Sequence, residues 1–236
     1  MEGIEERLSD TIIERPITIA LDECYFSLCP PSLGKMQLLG RMLKALDVDS
    51  EIMEANAAIE CLRLVETKRK DVCRYIAYCT CKTKEELFNE QLIKKRTNFL
   101  DRRAEAEDLS SIFLLLLSRD NVKELIKYLG IDKEKERLQQ VQRAKESKNS
   151  FTFGGVSIYG QLIDQACERY GWTYDYVLWG ISYANLQLLL ADSVKSIYLT
   201  DAERKKVHLA PDRRKQDVIN ADDPANIERI KAMKWN

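Results

Sequence analysis

The sequence predicts a mainly α-helical protein, built of helical bundle-like modules with a small N-terminal β-hairpin. Three observations predict it. Apolar residues recur at three- and four-residue steps through most of the chain, which is the signature of amphipathic helices. Strict alternation occurs only near the start, where Ile17, Ile19 and Leu21 are separated by Thr18 and Ala20. Charged residues make up 32 % and hydrophobic ones 45 %, a balance that suits a helix-rich chain with a core.

Residues 1–15 are polar and read as a flexible N-terminus. Ile17–Leu21 is the first strand, Asp22-Glu23 a turn, and Tyr25–Cys29 the return strand. Pro30 and Pro31 stop it, since proline donates no hydrogen bond to a ladder. Ser32 is placed as the N-cap of a helix through Leu46, with Leu33, Met36, Leu39, Leu43 and Leu46 on one face. Asp49 or Ser50 restarts a helix toward Ala77, which the charged stretch Glu66–Asp71 interrupts. Thr83 with Glu86 forms a capping box for a helix carrying Leu87, Phe88, Leu92 and Ile93. A polar break at Arg102–Asp108 leads into Leu109–Leu117. Asp120 caps the next helix, and Gly130 ends it as a C′ residue. Residues 16–131 thus form a hairpin plus helical domain, and 132–150 a charged helix or linker.

Residues 151–210 read as a small helical module. Ile158, Leu162, Ile163 and Ala166 make an apolar face that Gly171 ends. Thr173 caps a short turn, Gly180 breaks it, and Leu186, Leu189, Leu190, Val194 and Ile197 build another helix. Thr200 or Asp201 caps a last turn. Residues 211–236 are a polar tail, except that Ile227, Ile230 and Met233 keep helical spacing beside Trp235. Such a stripe fits either fraying or folding on a partner.

Composition narrows the function classes. Lys and Arg total 37 against 38 Asp and Glu, a net charge of −1. Nucleic-acid binders usually carry a basic excess, so that role is disfavoured. The longest apolar run, Ile112–Leu117, is far short of the ~20 residues that span a bilayer, and reads as a buried helix contacted on several sides. Seven cysteines behind an acidic, non-apolar start point to reduced thiols in a cytoplasm. Cys79 and Cys81 are spaced C-x-C, but with His208 the only imidazole, buried free thiols are the better reading than a metal site.

Catalysis needs a poised acid, base or activated nucleophile. His208 lies in the charged segment ERKKVHLAPD and reads as a surface residue; Cys167 lies on an apolar helix face. Asp164 and Glu168 share a face four residues apart, a spacing that charged helices produce by chance. Gly154-Gly155 suits a turn as well as an anion site. The expectation is no catalytic residue, no cofactor and no metal. Tyr159, Tyr170, Trp172, Tyr174, Tyr176, Trp179 and Tyr183 crowd one span beside Asp and Glu rather than Arg and Lys, which disfavours base stacking. They read as a small aromatic core or as anchors of a protein-contact surface.

The two-strand start, Pro-Pro-Ser-Leu-Gly-Lys leading into an amphipathic helix, and the later GWTYDYVLWGISYANLQLLLAD resemble tail assembly chaperones of long-tailed phages and prophages. The likeness covers residues 16–46 and 151–199. It implies a non-enzymatic role: coating the tape measure protein and keeping its apolar helical length from aggregating while the tail assembles. The chain is longer than compact members of that family and has an additional helical middle. Candidate contacts for the tape measure or another tail protein are Met36, Leu39 and Leu43, then Trp172, Tyr176 and Trp179, then Leu186, Leu189 and Leu190. Self-association stays open. The rival readings are a structural component retained in the phage particle, and a nucleic-acid-binding regulator using Lys133–Lys148.

Overall fold

The computed structural model describes residues 3–21, 24–118, 122–144, 157–194, 197 and 199–208. The expected turn at Asp22-Glu23, the Asp120 cap, the Gly154-Gly155 turn and the tail 211–236 lie outside the described residues. The chain is mainly helical with one two-stranded antiparallel sheet near its start. It divides into two compact units, the first made of residues up to Asp132 together with Phe153–Ser193.

The first unit begins with its N-terminal segment. The segment expected to be flexible carries helix α1, Ile4–Ile12, in which Glu6 reaches back to the Gly3 amide at 3.1 Å. Ile4 and Leu8, one turn apart, give this polar stretch a face it can seat. Strands β1 (Ile17–Leu21) and β2 (Cys24–Leu28) pair in the register Ile17↔Leu28 to Leu21↔Cys24. The alternation turns Ile17, Ile19 and Leu21 inward and leaves Thr18 and Ala20 exposed.

Helix α2 (Leu33–Leu46) follows the prolines, as its apolar spacing predicts. Asp49 accepts from the Glu51 and Ile52 amides and caps the short α3 (Ser50–Ala55). Asn56 then leaves helical geometry at φ −159° and recaps α4 (Ala57–Cys79), so the expected single helix is two. The charged stretch Glu66–Asp71 bends α4 without ending it: Lys68 sits at φ −133°, and its ammonium donates to the Leu46 carbonyl at 2.8 Å. One long side chain thus closes the C-terminus of α2.

The Thr83 cap forms, its hydroxyl accepting from the Glu86 amide, but α5 (Lys84–Leu87) ends after a single turn. Asn89 accepts from the Leu92 amide at 3.0 Å and starts α6 (Glu90–Arg103) afresh. Helix α7 (Ala106–Leu117) then packs on α4. The principal core lies between α4, α6 and α7: Leu64, Val72 and Ile76 meet Leu100, Leu109 and Phe113, all essentially inaccessible. Tyr75 meets Phe113 edge-on at 5.2 Å. The leucine run departs from expectation. Ile112 and Phe113 are buried, whereas Leu114, Leu116 and Leu117 are half-buried and Leu115 is exposed.

Helix α8 (Val122–Tyr128) ends at Gly130, whose φ of +72° is the left-handed C′ geometry glycine supplies. Ile131 opens α9 (Ile131–Ala144). Ser157 caps α10 (Ile158–Tyr170), and Gly171 ends it at φ +65°. The Thr173 hydroxyl accepts from the Tyr176 amide ahead of a π-helical turn, Tyr176–Gly180. Ser182 caps α11 (Tyr183–Ala191). This helix is shorter than predicted, so Val194 and Ile197 fall beyond its end. Leu33 of α2 shares a small core with Ala166, Val177, Ile181 and Leu186.

The second unit takes Lys133–Thr152 and Val194–Asn236. Its described residues hold the greater part of α9 and the short α12 (Asp201–Lys206). Thr200 and Glu203 cap α12 reciprocally, with Glu203 buried. Among the described residues, no helix is long and apolar enough to cross a membrane.

Candidate partner-binding groove

Met36, Leu39 and Leu43 stand three and four residues apart, so they line one stripe of α2. That stripe is not fully covered. It forms one wall of an apolar groove of about 240 Å³, whose other wall includes Tyr75 of α4, Leu116 and Leu117 of α7 and Ala184 of α11. From Met36 to Leu43 is about 10 Å of helix axis, or two turns. Leu43 and Leu117 also line an adjoining, more open hollow of about 520 Å³ with Val48 and Met53. The groove therefore continues along α2 toward its C-terminus.

The floor is buried at Tyr75. The Tyr75 phenol is held well above its ordinary pKa, chiefly by burial and secondarily by Cys79. Lys35 is 5 % exposed, and its ammonium donates to the carbonyls of Cys79 and Cys81 at 2.8 Å each. These carbonyls belong to the last residue of α4 and the segment after it, where intrahelical donors run out. Lys35 thus ties α2 to the end of α4 and holds the two walls of the groove together.

On its other side Lys35 lines a second cavity of about 230 Å³, with Glu14, Lys82, Lys84, Trp179 and Ser182. Charges here are largely satisfied from within the chain. Lys84 pairs with Asp175 at 2.7 Å and lies 5.5 Å from the Trp179 ring centre. The Glu14 carboxylate accepts from the Ser182 amide at 2.8 Å and from Asn185 Nδ2 at 3.1 Å. Cys81 faces this cavity; burial raises its thiol pKa against the lowering effect of Arg96 and Lys35, so at neutral pH it stays protonated. Cys79 and Cys81 are both buried and in no disulfide, and among the described residues no cluster of His, Cys, Asp or Glu is arranged to hold a metal ion.

The nine predicted contact residues do not form one surface, although Trp172, Leu186 and Leu190 share one apolar cluster. Met36, Leu39 and Leu43 share the groove. Trp179 is half-buried, packed with Leu87 and Ile93 and meeting the exposed Phe88 edge-on at 5.9 Å. Its ring lies against Gly34, where an added Cβ would sit 2.6 Å away. Trp172 stacks on Tyr170 at 4.6 Å and meets Tyr176 edge-on at 5.1 Å. Of this aromatic group Tyr174 and Tyr176 are exposed, at 62 % and 44 %. Leu186 is inaccessible and belongs to the core beside Leu33, so it has no surface to offer; Leu189 is exposed and Leu190 half-buried. Asp164, Glu168 and His208 are exposed, and Cys167 is half-buried against the Leu186 core.

Sequence reasoning missed Leu116, Leu117 and Tyr75 as groove residues. The signal was present in part: a run as apolar as IFLLLL has no polar side to turn toward water. Comparisons with protein-family models, with curated proteins and with solved structures find no match for this chain.

Proposed function

We propose that this protein is a non-enzymatic tail assembly chaperone of a long-tailed phage or prophage, which binds the tape measure protein and keeps it from aggregating. The observation that carries the reading is the groove along α2, with Met36, Leu39 and Leu43 facing Leu116 and Leu117. Met36 and Leu43, half-buried two turns apart on either side of the buried Leu39, suit the i and i+7 anchors of an amphipathic helix lying in a groove. A tape measure protein exposes such stripes until the tail tube surrounds it, and uncovered stripes associate wrongly. The resemblance of residues 16–46 and 151–199 to that family supports the choice of partner.

The test is co-expression with the candidate tape measure protein. The expected result is a soluble complex with the wild-type chain, and loss of most soluble partner with Met36→Asp combined with Leu117→Asp. A tape measure protein that stays equally soluble with wild type, with the double variant and with no chaperone at all overturns the reading. Retention of the chain in purified particles favours the structural-component alternative.

A further inference from the structure

The geometry points to α1 as a displaceable latch beside the groove, whose release joins its own seat to the groove as one longer apolar trough. The inference rests on the groove being a docking site, so its experiment reads the latch without any partner. The seat consists of Val122 and Leu125 on α8 and Leu188 on α11, all buried, flanked by Ile126 and Ala184. Ile4 and Leu8 of α1 lie on it. Val122 and Ala184 also line the groove, so these two side chains border both surfaces. Lifting α1 would leave apolar surface running without interruption from Leu188 and Leu125 to Leu39 and Leu43.

Helix α1 is built to be lifted. None of its residues is buried. Its later apolar positions miss the seat, Ile12 being 58 % and Ile13 64 % exposed. Its polar ties are partly open to solvent: Arg7 pairs with Glu124 at 3.0 Å, the side chains 35 % and 60 % exposed, and the Tyr128 hydroxyl donates to Glu5 at 3.0 Å. Water competes well for such bonds. Firm attachment is concentrated at the C-terminal end of α1. There Glu14 receives the Ser182 amide, and Asn185 Nδ2 donates both to Glu14 and to the Ile12 carbonyl at 3.2 Å. Glu14 puts its negative charge at the N-terminus of α11, where the helix dipole favours it. It does so at φ +54°, a left-handed backbone that a non-glycine residue adopts at some cost. A helix with few buried contacts, held by one carboxylate on a strained hinge, belongs to the class of elements that open locally while the core stays closed.

Hydrogen–deuterium exchange on the full chain, read by mass spectrometry, tests this. In wild type the amides of Leu8–Ile12 are expected to exchange at least roughly 100-fold faster than those of Val72–Ile76 in α4. Glu14→Ala, which removes the pin, is expected to speed α1 a further ~10-fold and to raise binding of an apolar dye, with α4 unchanged. Arg7→Gln, on the exposed pair, is expected to change α1 less than two-fold. Wild-type α1 exchanging at the rate of α4 overturns the latch, as does Glu14→Ala speeding both helices equally. If Glu14→Ala does not fold, the wild-type ratio alone decides. A labile α1 in a chain that binds no tape measure protein leaves the latch standing and removes the chaperone reading; a locked α1 in a chain that does bind removes the latch alone.

Discussion

Replacing Gly34 by alanine should destabilise the protein, while the same change six residues further along the same helix should stabilise it. A Cβ built at Gly34 lies 2.6, 2.7 and 2.8 Å from three carbons of the Trp179 ring. Carbon atoms pack at about 3.5–4.0 Å, so the ring must recede by roughly 1 Å. It has little room to do so. Phe88 meets it edge-on, Leu87 and Ile93 pack beside it, and its backbone is fixed in the π-helical turn before Ile181. Overpacking of this kind costs about 1–3 kcal/mol. Alanine gains at most about 1 kcal/mol over glycine in a helix, so a net loss of up to ~2 kcal/mol remains. At Gly40 a Cβ meets nothing within 4 Å, and only the gain of about 0.5–1 kcal/mol is left. Urea unfolding followed by tryptophan fluorescence measures both. Trp179→Leu supplies the cross-check: in that background Gly34→Ala should become neutral or stabilising, a coupling well beyond the ~0.5 kcal/mol error of additivity. Equal stabilities for Gly34→Ala and Gly40→Ala, or no coupling to Trp179, would refute the reasoning.

Three further outcomes follow from buried polar groups. The inaccessible Glu60 carboxylate is held below its ordinary pKa of 4.5, first by its hydrogen bond from Arg63 and then by the Asp49 amide, against the opposing effect of burial. Its stabilisation is therefore complete above pH 4.5 and is lost as pH falls through the lower folded value, so urea midpoints of wild type and Glu60→Gln should differ at pH 7 and converge in acid. Lys35→Met keeps the stem but removes the donor to two buried carbonyls, and thermal unfolding should report a loss of about 2–4 kcal/mol; a neutral result would mean that water reaches those carbonyls. Thiol labelling with a disulfide reagent at pH 8 should be led by the exposed Cys24, whereas Cys61 and Cys73, pushed up to about 11 mainly by burial, should react only on unfolding.

What the residues encode by themselves are the elements whose cause is local. The alternation of Ile17, Ile19 and Leu21 sets which face of β1 turns inward, and the prolines that follow the hairpin keep it short. Ser182, Thr200, Thr83 and Asn89 each satisfy helix-end amides within three or four residues, and Gly130 and Gly171 take the left-handed geometry that stops a helix. The apolar stripe Met36–Leu39–Leu43 was legible for the same reason. What such local patterns leave undetermined is which apolar face finds a neighbour. Leu186 and Leu189 lie on the same short helix, yet one is inaccessible and the other exposed, because Leu33, Ala166 and Val177 arrive over only one of them. The leucines after Phe113 are half-buried or exposed because they lie at the edge of the core and not inside it. Helix α1 is seated because α8 and α11 present Val122, Leu125 and Leu188 to Ile4 and Leu8, whereas Ile12 stays exposed. Burial depends on the arrival of residues distant in sequence, so the tertiary structure alone decided where the core ends and the groove begins.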